Sequence, residues 1–285
     1  MNKIRSNKLR IPDAPTSIQK GVPLKHVLGS EAINCLANNI STIYPKFQTQ
    51  AFKQAALHDL EDLEFMQRGV HIANALRDYL PEKYEKAIEI LLASLTSPNT
   101  ETEGLGLAVL FYHPHSCFIS EYGQDKANNK GEDPFKISMQ AQYELTKRNT
   151  SEFSMRPFLI KQQKRTLSQI KKWLTDPNPH IRRLCSESTR PRLPWAPRIP
   201  AFIEDPSAVL PILEKLKNDP SLYVRRSVAN HIGDIAKDNP EIAFELCERW
   251  LNDASKEVKW LIRHALRHPA KKENRTALRI RTAAK

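Results

Sequence analysis

The sequence predicts an all-α protein built as an α-solenoid of stacked helical pairs, and three observations predict it. A motif recurs as DPNPHIRRLCSE from Asp176, DPSLYVRRSVAN from Asp219 and DASKEVKWLIRHAL from Asp253. Most of the other segments space their apolar residues three and four positions apart, which is the helical period. Prolines stand at the edges of these segments, where a missing amide hydrogen costs least.

Each copy of the motif places an Asp that is expected to cap a helix, then a β-branched residue at Ile181, Val224 or Val258. These β-branched positions are 43 and 34 residues apart. Helical-pair repeats have periods of about 34 to 47 residues, so the motif predicts neighbouring helices of one array with a concave basic face. Six residues of the first two helices are expected to face the core at helical spacing: Ile181, Leu184, Cys185, Val224, Val228 and Ile232.

Composition and charge narrow the class of partner. The chain has 285 residues, 40% of them hydrophobic, and a formal net charge of +12. A chain of this length can bury a substantial core, and an excess of one charge favours a polyanionic partner such as nucleic acid. The predicted organisation is a partly flexible N-terminal arm (1–28), a repeat domain (29–270) and a basic tail (271–285). The tail is expected to be either a phosphate-binding arm or a frayed end.

The cysteines and the hydropathy pattern argue against several other classes. Four cysteines are scattered singly, without the paired spacing of a disulfide framework or a tetrahedral zinc site. No apolar run approaches the roughly 20 residues that cross a bilayer, and no hydrophobic signal region follows the basic N-terminus. We therefore expect a cytoplasmic, nucleoid-associated protein of prokaryotic type, without membrane contact, cofactor or metal.

A polar stripe follows the second repeat helix. Arg226, Asn230, Asp234 and Lys237 are separated by four, four and three residues, so they share one helical face. Alignment of the neighbouring repeats brings Glu187 and His264 towards the same surface. Eleven residues are predicted to contact DNA here: Arg183, Arg190, Arg192, Arg225, Arg226, Asn230, Lys237, Lys259, Arg263, His264 and Arg267. The alternative is that about half of the arginines brace neighbouring turns.

A proline-rich linker, STRPRLPWAPRIP (188–200), separates the first two repeats and is expected to hold Trp195 on a stiff extended backbone. Trp195 is then either packed on a neighbouring helix or presented as an aromatic blade to a nucleobase or sugar. In the second case Arg190 and Arg192 would lie beside it on backbone phosphates.

Four ordered strings resemble one known family. TKRNTSEFSMRPF (146–158), HIRRLCSESTRPRLPWA (180–196), RRSVANHIGDIAKD (225–238) and IRHALR (262–267) are similar to the HEAT-like-repeat alkylpurine DNA glycosylases, specifically the AlkC-like branch. Ser188 departs from the pattern, because the family more often has Gly after the Glu.

This resemblance implies a DNA glycosylase of base excision repair. The expected activity is monofunctional hydrolysis of the N-glycosidic bond of N3-alkylated bases, 3-methyladenine and possibly 3-methylcytosine, in double-stranded DNA, by a monomer. The resemblance carries the catalytic roles onto Glu152, Glu187, Asp234 and Trp195. An N3-alkylated base is already cationic, so carboxylates that stabilise an oxocarbenium-like sugar and place a water suffice.

Several alternatives stay open at the level of sequence. Either Asp234 or Glu187 could deprotonate the water, Glu152 could merely brace its helix, and Asp234 could pair with Arg226 or Lys237. A non-catalytic HEAT scaffold that binds nucleic acid or protein explains the repeats and the charge equally well. A third hypothesis, a metal site in YHPHSC (112–117), is disfavoured by the short spacing and the intervening proline.

Overall fold

In the computed structural model, which describes residues 9–285, the described residues form helices joined by turns and loops, and they form no strand. It divides into two compact units, Met1–Ser154 and Met155–Lys285. The prediction of an all-α fold is therefore confirmed. None of the helices among the described residues is long and apolar enough to cross a membrane. The predicted three-part division at residues 28 and 270 stays a prediction.

The described part of the first unit contains six packed α-helices. Its α-helices are α1 (Ser30–Ile43), α2 (Thr49–Leu57), α3 (Phe65–Tyr79), α4 (Tyr84–Ala93), α5 (His113–Tyr122) and α6 (Phe135–Thr146). Helix α3 packs against α2 and α5, and α4 packs against α6. Fully buried aromatic residues, including Phe52, Tyr84 and Phe118, fill the space between them.

Part of the predicted N-terminal arm is ordered on the first unit. Residues 1–8 lie outside the described residues. The side-chain amide of Asn39 donates to the carbonyl of Arg10 at 2.7 Å, and the backbone amide of Leu107 donates to the carbonyl of Pro15 at 2.9 Å. Arg10 and Pro15 are thus fixed to the unit by hydrogen bonds, although they lie in a segment with no helix of its own.

The second unit carries the three motif copies on three contacting helices. After α7 (Glu152–Lys161), which begins in the first unit, its helices are α8 (Gln163–Trp173), α9 (Pro179–Glu187), α10 (Pro200–Glu204), α11 (Leu210–Leu216), α12 (Leu222–Asp238), α13 (Pro240–Leu251), α14 (Lys256–Ala265), α15 (Arg267–Lys271) and α16 (Arg275–Ala283). Helix α12 packs against both α9 and α14. The six predicted core residues are all fully buried, so the helical register read from the motif is confirmed.

The repeated Asp does not cap its helix as predicted. Asp176 and Asp219 instead accept the backbone amides of Asn178 and Ser221, two residues later, at 2.8 and 2.9 Å. The residues at the N-cap are Asn178 and Ser221 themselves, and Ser255 in the third copy. A short carboxylate reaches the amide two residues on within a turn, so the Asp fixes the turn before the helix.

The arginine that follows each Asp-Pro pair braces the repeats. Arg182 binds both carboxylate oxygens of Asp219, at 2.6 and 3.0 Å, and donates to the carbonyl of Asp176 at 2.8 Å. One repeat later, Arg225 donates to the carbonyls of Asp219 and Pro220 at 2.6 and 2.9 Å. The alternative in which motif arginines lace neighbouring turns is therefore confirmed for Arg182 and Arg225.

The predicted tail is a packed helix. Ala277 and Ile280 of α16 are buried, and α16 contacts α13, α14 and α15. Asn274 caps the helix by accepting the amide of Ala277 at 2.9 Å. Residues 275–283 are consequently not the frayed end that the sequence left open, because an apolar stripe at helical spacing fixes them to the second unit.

Candidate active site

Two buried carboxylates meet where α9 ends beside the middle of α12. Glu187 is the last residue of α9 and is 5% exposed, and Asp234 on α12 is 2% exposed. Arg190 joins them: its Nη1 donates to Glu187 Oε1 at 2.7 Å and its Nε donates to Asp234 Oδ2 at 2.8 Å. The sequence brings these residues to one place because the two helices pack as adjacent repeats.

Glu187 is held as an anion by three neighbours. Burial alone would raise its pKa, but Arg183 and Arg190 outweigh burial, and the pKa lies below its ordinary value. Arg183 Nη2 lies 3.3 Å from Oε1, and the hydroxyl of Ser227 donates to Oε2 at 2.6 Å. Both oxygens of Glu187 are therefore engaged by protein groups.

Asp234 has two partners of different kinds. Arg190 on Oδ2 is buried, whereas Lys237, whose Nζ donates to Oδ1 at 2.9 Å, has a side chain that is 50% exposed. Of the two partners left open for Asp234 at the level of sequence, Lys237 is thus the correct one. The Lys237 contact lies on the solvent side of the carboxylate.

Arg190 lies elsewhere than predicted. Its side chain is 10% exposed and both its ion pairs point to Glu187 and Asp234, not to solvent. Burial lowers its pKa, but the two carboxylates more than compensate, so the pKa of the guanidinium is raised. A phosphate contact by Arg190 would require these ion pairs to break.

Trp195 is presented to solvent on an unusual backbone. The indole is 64% exposed and the residue adopts φ of 62°, in the left-handed region. The predicted extended conformation is wrong at this residue, because Trp195 is the third residue of a turn in which the amide of Ala196 donates to the carbonyl of Leu193 at 3.4 Å. Of the two alternatives for the side chain, the exposed one is observed.

A buried arginine that the sequence analysis missed holds this linker in place. Arg156 on α7 is fully buried and donates to the carbonyls of Ser188, Arg190 and Pro191 at 3.2, 2.8 and 3.3 Å, and also to that of Pro197. Its only signal in the sequence is a single cation inside the apolar run from Met155 to Leu159.

Ser188, the residue that departs from the family pattern, fits its turn. It has φ of −66°, so no glycine is required, and its hydroxyl donates to the carbonyl of Leu184 at 2.7 Å.

Glu152, the remaining predicted carboxylate, is the first residue of α7 and belongs to the first unit. It is 7% exposed, and the hydroxyl of Thr150 donates to Oε2. Its predicted role beside Glu187 and Asp234 stays a prediction.

The third repeat adds a polar cluster at the aligned position. His264 stacks on Trp260 with ring centroids 5.1 Å apart, and its Nε2 lies 3.2 Å from Oδ1 of Asn230. The same oxygen accepts from Arg267 Nη2 at 3.0 Å. Burial, with Arg267 and Arg226 nearby, lowers the pKa of His264 to about 4, so the ring is neutral at pH 7. The predicted proximity of Asn230 and His264 is confirmed.

The predicted DNA-contacting cations fall into two sets. Several are tied to protein acceptors: Arg183 to Glu187, Arg190 to both carboxylates, Arg192 to Asp238 at 2.6 Å through two nitrogens, Arg225 to two carbonyls, Arg263 to the carbonyl of Ala284, and Arg267 to Asn230. Arg226 is exposed and Lys259 is half-buried, whereas Lys237 is exposed but also donates to Asp234. The surface available to a phosphate is therefore smaller than the motif suggests.

Two open grooves share Lys237, the exposed partner of Asp234, as a lining residue. One, of about 390 Å³, is lined by Arg192, Trp195, Arg198 and Lys237 among others. The second, of about 250 Å³, is lined by Lys237, His268 and Lys272 among others. Three of these basic residues, Arg198, His268 and Lys272, were not among the predicted contacts, because they lie outside the repeated motif.

The histidines of the third hypothesis are core residues. His113 stacks on Phe65 with centroids 4.9 Å apart, and its Nε2 lies 3.6 Å from Sγ of Cys117. Burial lowers the pKa of His115 to about 4. Among the residues that the structure describes, no group of three or more His, Cys, Asp or Glu side chains could hold a metal ion, so the metal-site hypothesis has no support there.

Comparison with known proteins gives matches along most of the chain. The HEAT repeat family model matches residues 209–238, the segment that contains α11 and α12. The uncharacterized protein YhaZ of Bacillus subtilis (strain 168) is 35% identical over 258 residues, which is 90% of this chain and 67% of YhaZ. The structure of the Pseudomonas fluorescens alkylpurine DNA glycosylase AlkC, bound to DNA containing an abasic site analogue, superposes with a TM-score of 0.78. It is 35% identical and the match covers 91% of this chain and 67% of that one. The predicted α-solenoid of HEAT-like repeats is confirmed.

Proposed function

Since the chain belongs to the AlkC-like family of alkylpurine DNA glycosylases, we propose that it hydrolyses the N-glycosidic bond of N3-alkylated bases in double-stranded DNA. The observation that carries this proposal is the pair of buried carboxylates, Glu187 and Asp234, joined by Arg190. Lys237 binds Asp234 and also lines a basic groove together with the exposed Trp195. The proposed substrates are 3-methyladenine and 3-methylcytosine in DNA, and the proposed reaction needs no cofactor.

The chemistry suits an anionic site. An N3-alkylated base carries a positive charge and leaves as a neutral molecule, so the transition state is a cationic, oxocarbenium-like sugar with no need of a strong acid. Carboxylates held in a preorganised, largely buried setting stabilise such a cation more strongly than water does. Arg190 and Arg183 keep Glu187 ionised despite its burial, which supports its role as an electrostatic stabiliser.

The surroundings of the carboxylates support duplex binding. The two grooves that Lys237 lines contain cations that suit phosphates, and the exposed indole of Trp195 suits a contact with the deoxyribose or the lesion. We propose that Arg226, Lys237 and Lys259 supply phosphate contacts. If about six such contacts form, affinity should fall by roughly 10³-fold between 50 and 200 mM salt.

The test is release of free base from methylated duplex DNA, followed by chromatography. We expect release by the wild type, a loss of at least about 100-fold in Asp234→Asn and Glu187→Gln, and a smaller loss in Trp195→Ala. Asp219→Asn is the matched control, because Asp219 is also a buried carboxylate bound by an arginine, but in the scaffold. Its rate of base release should stay near that of the wild type, and EDTA should have no effect.

The outcomes separate the hypotheses. No release above background by the wild type would refute the reaction and favour a non-catalytic HEAT scaffold. Release by Asp234→Asn and Glu187→Gln at the wild-type rate would leave the reaction standing and refute this site.

A further inference from the structure

The two oxygens of Asp234 differ in how firmly they are held. Oδ2 accepts from Nε of Arg190 at 2.8 Å, and that guanidinium is buried and also bound to Glu187. Oδ1 accepts from Nζ of Lys237, one helical turn away, and half of the Lys237 side chain is in contact with solvent. Since solvent reaches the side chain of Lys237 but hardly that of Arg190, the contact at Oδ1 is the one that a ligand can break.

Lys237 also lines both basic grooves. On one side the groove continues to Arg198 and Trp195, and on the other to His268 and Lys272. Arg192 lines the first groove too, but it is bound through two nitrogens to Asp238 at 2.6 Å. An ammonium group on a flexible stem re-orients more easily than a guanidinium bound at two points. A polyanion in these grooves therefore meets Lys237 as the cation that is both adjacent to Asp234 and able to move.

We propose that Lys237 exchanges partners when DNA binds: its ammonium leaves Oδ1 of Asp234 for a backbone phosphate and thereby uncovers that oxygen for the reaction. This inference rests on the proposed glycosylase function. It makes Lys237 a positioning residue, and it assigns the water to Asp234 and not to Glu187. Both oxygens of Glu187 are bound by buried or half-buried groups, Arg190, Arg183 and Ser227, and these three residues line neither of the two grooves.

The uncovered carboxylate remains in a cationic setting. Arg190 stays on Oδ2, and Arg192 and Arg267 act on Asp234 through space, whereas burial lowers the pKa of the nearby His231 to about 4 and keeps that ring neutral at pH 7. The step then balances as follows. The oxygen of water bonds to C1′ of the sugar, the C1′–N bond breaks with its electron pair going to the cationic base, and the proton of the water passes to Oδ1. The products are an abasic sugar, a neutral base and a protonated Asp234.

A double-mutant cycle on DNA affinity tests the exchange without any need for catalysis. The probe is a fluorescent duplex that carries an abasic-site analogue, and its dissociation constant is measured by anisotropy for the wild type, Asp234→Asn, Lys237→Met and the double variant. In the wild-type background Asp234→Asn releases Lys237 and should tighten binding about two- to five-fold, the range that corresponds to a partly exposed ion pair. In the Lys237→Met background the same change should alter affinity by less than about 1.5-fold. Lys259→Met removes the same charge from α14 and is the matched control, because it should leave the effect of Asp234→Asn intact.

Equal tightening in both backgrounds would overturn the exchange, since it would mean that Asp234 acts on DNA only through its general charge. Failure of the wild type to bind the duplex would overturn it as well. A third outcome is that Asp234→Asn tightens binding in the wild-type background but not in the Lys237→Met background, while the wild type releases no base. This result would support the exchange and refute the reaction, so the two failures are distinguishable.

Discussion

Arg190 is the residue whose loss should damage this site most. Replacing Arg190 with Met removes two charge-assisted hydrogen bonds, at 2.7 Å to Glu187 and 2.8 Å to Asp234, and leaves both carboxylates buried. Hydrogen bonds to charged groups contribute about 1.5 to 3 kcal/mol each, and removal of one partner from a buried ion pair costs about 3 to 5 kcal/mol. Glu187 keeps Arg183 and Ser227, and Asp234 keeps Lys237. We therefore expect R190M to lower the free energy of unfolding by about 3 kcal/mol, the lower end of that range.

The assay is urea denaturation followed by circular dichroism, with R192M as the matched control. Arg192 lies in the same linker and also binds a carboxylate of α12, Asp238, but its side chain is 25% exposed. The loss of Arg192 should therefore lower the free energy of unfolding clearly less than the loss of Arg190 does.

The effect of R190M should also depend on pH in a defined direction. The folded pKa of Glu187 lies below 4.5, so its contribution to stability is present above pH 4.5 and is lost as the pH falls below it. The difference between wild type and R190M should narrow in that window. Equal destabilisation by R190M and R192M would refute the reasoning that burial makes the first pair stronger.

Three further changes test other parts of the fold. Arg156→Lys should lower the melting temperature and the rate of base release together. The reason is that one ammonium cannot reach the four linker carbonyls that the guanidinium binds. A melting temperature equal to that of the wild type would contradict this prediction. Gly69→Ala should lower the free energy of unfolding by about 1 to 3 kcal/mol in urea denaturation. The new Cβ atom would lie 2.3 Å from Cδ2 of the buried His113, and this clash outweighs the better helix propensity of Ala. Burial lowers the pKa of His113, His115 and His231 to about 4. The free energy of unfolding should therefore fall as the pH drops from 6.5 towards 4, by about 1.4 kcal/mol per pH unit for each histidine. An unchanged urea midpoint between pH 7 and pH 5 would argue against the burial of these histidines in the neutral form.

The sequence by itself determined the repeat and its register. The motif predicted the helices α9, α12 and α14 and the buried residues of α9 and α12, because helical periodicity depends only on the order of residues along one chain segment. It placed the helix starts at the repeated Asp, about two residues before the N-caps that the structure shows. It also indicated that some motif arginines would brace neighbouring turns, as Arg182 does. The family resemblance, carried by four strings, marked Glu187, Asp234 and Trp195 as candidate site residues.

Only the tertiary structure decided which charges are paired. Arg190 and Arg226 are both basic residues near a candidate carboxylate in the sequence, yet one is buried between Glu187 and Asp234 and the other is exposed. Partner choice depends on the distance between side chains from different helices, and local patterns contain no information on that distance. The role of Arg156 was hidden for the same reason, because its acceptors lie more than 30 residues away in a linker without periodicity. The repeat is thus a local property that can be read from the chain, whereas the ionic network that would make it a catalyst exists only after the helices pack.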